Sequence, residues 1–245
     1  MKTLLETILS RTLHDPKIII HKWLDDHNIK NYTLNDKADK VEIDVDEDVN
    51  LAREELTEFP SFIQFGTVKG NFYCNSNNLT SLEGAPKEVS GSFDCCSNKL
   101  TSLEGSPKEV GGDFYCHNNN LRDLKGAPSE VGGRFDCYKN KLTSLEGAPR
   151  KVGGDFYCHE NKLTSLEGAP EKVGRSFICY SNKLTSLKGA PLKIKEYFNC
   201  THNKLTSLEG SPKEVGGNFY CRYNSTQFTE EDVDRVCKVK DKIIV

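Results

Sequence analysis

Tryptophan and methionine occur once each in 245 residues, and only 36% of the chain is apolar, which is thin for a globule with a thick hydrophobic centre. Neither sign of charge dominates: 33 Lys and Arg stand against 36 Asp and Glu, interleaved as in Lys108-Glu109. No basic footprint for nucleic acid is therefore present. No apolar run approaches the length of a membrane span, and the opening MKTLLETILSRTLHD is broken by acidic and polar residues where a secretion signal would need an uninterrupted apolar stretch. These absences predict a cytoplasmic protein with neither membrane nor nucleic acid among its partners. C-x-x-C pairs of the kind zinc favours are missing too, and no cofactor is predicted.

What the chain has instead is a period. Of ten cysteines, eight recur every 21 residues: Cys74, Cys95, Cys116, Cys137, Cys158, Cys179, Cys200 and Cys221. Such a period marks a solenoid, whose units cannot bury their apolar faces singly and so must stack. One cysteine per turn, on the same strand face as a phenylalanine, reads as a buried reduced thiol packing like a small hydrophobe. A disulfide framework and a metal site are the competing readings. Cys96 falls in an outward column beside Cys95 and is the thiol predicted to react.

Self-alignment gives the unit P-x-x-V-G-G-x-F-x-C-x-x-N-x-L-T-S-L-x-G-A, repeated in seven full copies. Phe and Cys, two apart, share one side of a short strand and the residue between them faces the other way. An asparagine column, Asn77 to Asn224, lies where the chain leaves the strand, and its amides can satisfy backbone groups buried by the turn. Glycines from Gly84 to Gly210 suit a positive-φ position, and the prolines two residues on, Pro86 to Pro212, fix an extended return path. The Gly-Gly pair before the strand superficially suggests a phosphate loop, but no helix follows it. Lys195-Glu196 replaces it in one unit without an evident break in the frame.

The stretch F-x-C-x-x-N-x-L, as in Phe114, Cys116, Asn119 and Leu121 or Phe135, Cys137, Asn140 and Leu142, resembles the leucine-rich repeat pattern L-x-L-x-x-N-x-L. With its short unit and L-x-x-L-x-x-x-P ending, it is similar to the repeats of bacterial leucine-rich effectors and of large tailed phages over roughly residues 49 to 226. The resemblance implies an α/β repeat fold, a right-handed leucine-rich-repeat solenoid with a single parallel concave β-sheet. On this reading residues 1–46 form an N-terminal helical and β cap, 47–226 the solenoid and 227–245 a C-terminal capping helix at which the array stops.

The apolar spacing of residues 2–13 and the Asp15-Pro16 start signal predict two N-terminal helices, and Lys40–Val45 alternates as a strand does. Asp44, Asp46, Asp48, Asn50 and Glu55 imitate a calcium loop. Val49, however, occupies the position where that loop needs glycine, so an acidic strand edge is the preferred reading. Thr229 is placed to cap the final helix.

Comparing the repeats with one another separates scaffold columns, which barely change, from the outward strand columns, which vary. The latter carry Asp113, Tyr115 and His117; Arg134, Asp136 and Tyr138; Asp155, Tyr157 and His159; then Ile178, Tyr180, Tyr197, Tyr220 and Arg222. Tyrosine with scattered charge is the composition of a protein-recognition surface. The sequence therefore predicts a non-enzymatic interaction protein that binds a protein partner, host or viral, through its concave face. The resemblance implies a phage accessory factor that inhibits or modulates a host protein. A glycan-binding or virion-surface recognition protein is the alternative. His117 and His159 stand two turns apart, too far to share a metal, and no nucleophile–base set is recognisable.

Overall fold

The computed structural model describes residues 15–37 and 40–245. The helix predicted over residues 2–13 lies outside the described residues. The repeat region is a parallel-strand β-solenoid of about ten turns with a period of about 21 residues.

Each turn places two short strands at a corner. After the proline, a Glu-Val or Lys-Val pair such as Glu130–Val131 forms the first; the glycine pair turns the corner; Phe-x, such as Phe135–Asp136, forms the second. The prediction of one sheet is thus corrected to two. The valine strands were missed because a single buried residue, with no alternation to mark it, signals strand only once it is stacked. The phenylalanine strands make a ten-stranded sheet from Val49–Asn50 to Ile243–Ile244, all parallel and in register at 21-residue spacing within the repeats. The valine strands, together with Tyr32–Asp36 and Val41–Val45 at the N-terminal side, make an eight-stranded sheet that ends at Lys172–Val173, and they resume as a three-stranded sheet from Lys193–Ile194.

Lys195 explains that interruption. In the turns before it, the residue after Val131, Val152 or Val173 is glycine, and a Cβ on Gly153 or Gly174 would come within 1.9 or 1.8 Å of the carbonyl oxygen of the preceding turn. Glycine permits the close approach, and the Gly153 and Gly174 amides donate to Val131 and Val152 O at 2.9 Å. Among the described residues, no equivalent bond runs from Lys195 N to Val173 O. The Lys195 side chain opens the ladder locally, a change the unbroken sequence frame did not reveal.

Inside the corner, Phe72, Phe93, Phe114, Phe135, Phe156, Phe177, Phe198 and Phe219 are fully buried. Consecutive rings lie 5.1–5.8 Å apart between centroids. Burying one such ring contributes roughly 1.5–3 kcal/mol, so this column is the spine of the core. All ten cysteines are buried and unbridged. That includes Cys96, 8% exposed, whose thiol is pushed up to about 12 by burial and by Asp94. The prediction of a reactive Cys96 is corrected accordingly.

Asparagine ties turn to turn. Asn140 Nδ2 donates to Cys116 O, Cys137 O and Tyr138 O at 3.1–3.3 Å, and its Oδ1 accepts from Leu121 N at 3.0 Å. The residue before each asparagine is left-handed, at φ 50–59° from Ser76 to Tyr223, and the predicted glycines from Gly84 to Gly210 lie at φ 82–94°.

At the ends, the helix Pro16–Asp26 begins as predicted, with Asp15 Oδ1 accepting from Lys17 N at 2.9 Å, and buries Ile20 and Leu24. Tyr32–Asp36 pairs antiparallel with Val41–Val45, whose Ile43 and Val45 then pair in parallel with Phe65 and Val68. The acidic run is dispersed. Asp44 Oδ1 accepts from Thr67 N, Asp46 pairs with Lys69 at 2.8 Å, and Asp48 Oδ1 accepts from Asn71 N. Thr229 caps Glu230–Asp234 with a reciprocal capping box. The helix is short, and the array continues past it. Lys238–Val239 and Ile243–Ile244 add one more strand to each side, correcting the prediction that the repeats end at residue 226.

Candidate recognition site

The outward side of the phenylalanine sheet presents three columns, set by the strand alternation of each turn: the residue before Phe, the one between Phe and Cys, and the one after Cys. The first column is more structural than its variability suggests. Side-chain oxygens of Asp48, Asn71, Ser92, Asp113, Asp155 and Ser176 accept from the backbone N–H of the equivalent position one turn on, at 2.6–3.4 Å. Asp113 and Asp155 are therefore engaged with the fold. Arg134 offers no acceptor. Instead its guanidinium lies 4.9 Å from the Tyr157 ring centroid, and its Nε is 3.8 Å from Asp155 Oδ2. The legible signal was there: a column restricted almost entirely to Asp, Asn and Ser is a column of short acceptors.

The third column is an aromatic ladder. His117, Tyr138, His159 and Tyr180 stack face to face with centroids 4.5, 4.6 and 4.4 Å apart and planes within 20°. In-register strands impose this spacing, since one residue per turn at a fixed column recurs about every 4.8 Å. Ring faces are consumed by neighbouring rings and ring edges point outward.

Between these columns lies a buried polar seam. Asp136 is 4% exposed, flanked in register by Tyr115 and Tyr157. Its Oδ1 accepts from Tyr138 N at 3.4 Å and its Oδ2 stands 3.8 Å from His117 Nδ1, beyond hydrogen-bond range. Burial pushes its carboxyl up to about 7, against the Tyr138 amide and Arg134, which pull it down. Burial likewise pushes His117 down and His159 down to about 4, Lys139 adding to the effect at both. The Nδ1 atoms of His117 and His159 and Nε of Arg134 are buried without hydrogen-bond partners. Tyr115 donates to Asp113 Oδ2 at 2.6 Å and is pushed up to about 12 by burial and that bond.

Of the fourteen predicted residues, Asp136, Asp155 and His159 are buried, Tyr197 and Arg222 are exposed, and the other nine are half-buried. The face brings Tyr115, His117, Arg134, Asp136, Tyr138, Tyr157, His159 and Tyr180 together. Ile178 adjoins Tyr157, while Tyr197 and Tyr220 meet edge to face at 6.5 Å further along. Arg222 donates to Val245 O at 2.8 Å and belongs to the far end. Asp94, Lys139 and Arg175 were missed. Asp94 occupies the same column as Asp136 and could have been read from its position. Lys139 and Arg175 flank the strands and could not.

Among the described residues, no hydrogen bond satisfies the hydroxyls of Tyr138, Tyr157 or Tyr180. Comparison with known families, curated proteins and solved structures finds no match.

Proposed function

We propose that this chain is a non-enzymatic recognition protein of the leucine-rich-repeat kind, right-handed and with this face concave, that binds a protein partner through the aromatic ladder. One observation carries the reading: Tyr138 and Tyr180 are held by stacking in the ladder, Tyr157 on the turn between them is held edge to face by His159 and under Arg134, and the hydroxyls of all three are left without a partner among the described residues. Rings already fixed lose little side-chain entropy on binding, so each hydroxyl and ring edge adds to affinity at small ordering cost. The resemblance to short phage repeats makes the partner a host or viral protein, which binding would inhibit or modulate. A glycan would need open ring faces, and the ladder leaves these only at its His117 and Tyr180 ends.

The test is a titration of a captured partner with Tyr138→Ala and Tyr157→Ala, each checked by melting, against Lys183→Ala as a remote surface control. Loss of a central aromatic typically costs about 2 kcal/mol or more, roughly thirtyfold in affinity. Wild-type binding by both folded tyrosine variants would overturn the proposal.

A further inference from the structure

The valine sheet has an outward face of its own, and pairing within the solenoid accounts for only part of its charge order. The first residue of each strand points outward while the valine beside it is buried. Read along the stack, that column is Glu88, Glu109, Glu130, Lys151, Lys172, Lys193, all six exposed. Registers place Glu88 against Glu109, Glu109 against Glu130, Glu130 against Lys151, and Lys151 against Lys172, and Lys193–Ile194 lies next to Lys172–Val173. Like charges directly adjacent on neighbouring strands are unfavourable. Alternating signs would have relieved them, yet only Glu130–Lys151, at 3.5 Å, pairs opposite charges within the six. Over these six turns the column is sorted into three acidic and three basic positions; on the next strand Glu214 follows and pairs with Lys193 at 2.9 Å.

We infer that this face docks a second copy of the same chain, turned end for end so that each acidic half meets the other's basic half. A two-fold axis running along the strand direction, between the turns of Glu130 and Lys151, keeps each column opposite itself and reverses its order. Glu88 then faces Lys193 of the second copy, Glu109 faces Lys172, and Glu130 faces Lys151, each pair occurring twice as an isologous interface requires. The neighbouring column, residues 87, 108, 129, 150, 171 and 192, agrees with the same axis. Lys108 meets Glu171, Ser129 meets Arg150, and the stem of Lys87 meets Leu192, an apolar side chain 70% exposed. In the column after the valines, glycine meets glycine and Ser90 meets Lys195. No like-charge pair arises anywhere in the match.

A shallow groove of about 800 Å³ runs past Glu88, Glu109 and Glu130, and a second of about 440 Å³ past Lys151, Lys172 and Lys193. Glycines along the floor let an opposing surface approach. Six turns span only ~24 Å, so the total buried area falls below the ~1,200 Å² of standard interfaces. The dimer is accordingly weak and sensitive to salt.

Sedimentation of the full chain at high protein concentration is the experiment. The wild type is expected to self-associate at about 50 mM NaCl and to dissociate at about 500 mM, where exposed charges are screened. Glu88→Lys/Glu109→Lys/Glu130→Lys and, separately, Lys151→Glu/Lys172→Glu/Lys193→Glu should each weaken self-association at least about tenfold. All six changes together should restore it. Glu109→Gln/Lys172→Gln, which leaves fewer like charges within the monomer, should weaken it as well and serves if the larger swaps do not fold. Tyr138→Ala should dimerise as wild type, so this result is independent of the recognition face. A monomeric wild type at low salt, a folded one-sided swap that self-associates undiminished, or a folded six-fold inversion that stays monomeric would each overturn the inference.

Discussion

Asp136 and His159 show how one face can hold opposed titrations. Burial raises the Asp136 carboxyl from 3.8 to about 7, so between those values the folded chain keeps a proton that the unfolded chain has lost. That stability is present at low pH and is lost as pH rises towards 7. His159 is lowered from 6.5 to about 4, so in that window the unfolded chain holds the extra proton and folding is favoured increasingly as pH rises. The two slopes oppose each other from about pH 4 to 6.5 and partly cancel in the wild type. Measured against wild type across this range, the melting temperature of Asp136→Asn should rise with pH and that of His159→Gln should fall. Difference profiles that are flat for both variants would show that neither group is perturbed in the fold.

At the scale of the element, the turns are joined by backbone bonds that continue beyond the two-residue strands, as from Gly153, Phe156, Cys158 and Lys162 N, and by side chains that add to them. Asn140 alone engages four backbone groups from two turns. Asn140→Ala leaves Leu121 N without its partner, while Cys116 O, Cys137 O and Tyr138 O each lose one of two donors, and should destabilise by about 1–3 kcal/mol. Asn199 faces outward and accepts only from Thr201 on its own strand, so Asn199→Ala should stay within about 0.5 kcal/mol. Chemical denaturation of the two variants checks the comparison, and equal losses would mean that the inside and outside columns have been exchanged.

Across the whole molecule, stability is a sum over turns and their neighbours, so opening should begin at the ends. The thiols report it. Cys74, Cys95, Cys116, Cys137, Cys158, Cys179 and Cys200 are raised well above the usual thiol range by complete burial, whereas Cys237, nearer the end of the array, is raised only to about 11. Thiol labelling under native conditions should modify Cys237 and Cys221 first and Cys137 and Cys158 last, with Cys96 slow despite its outward column. Rapid labelling of Cys137 in the folded protein would contradict the buried register.

The sequence by itself determined whatever recurs every 21 residues: the solenoid, the inward Phe and Cys columns, the bridging asparagines and the positive-φ glycines. Each is a local requirement repeated often enough for its spacing to be read. Stacking decided the rest. Only when turns lie about 4.8 Å apart does a lone valine become a strand in a second sheet, or Lys195 a break in that sheet. The same stacking turns His117, Tyr138, His159 and Tyr180 into one aromatic ladder and buries Asp136 between Tyr115 and Tyr157. It also makes six charges, 21 residues apart in the chain, a sorted column. These properties belong to neighbours across turns, and a chain read one residue after another does not display them.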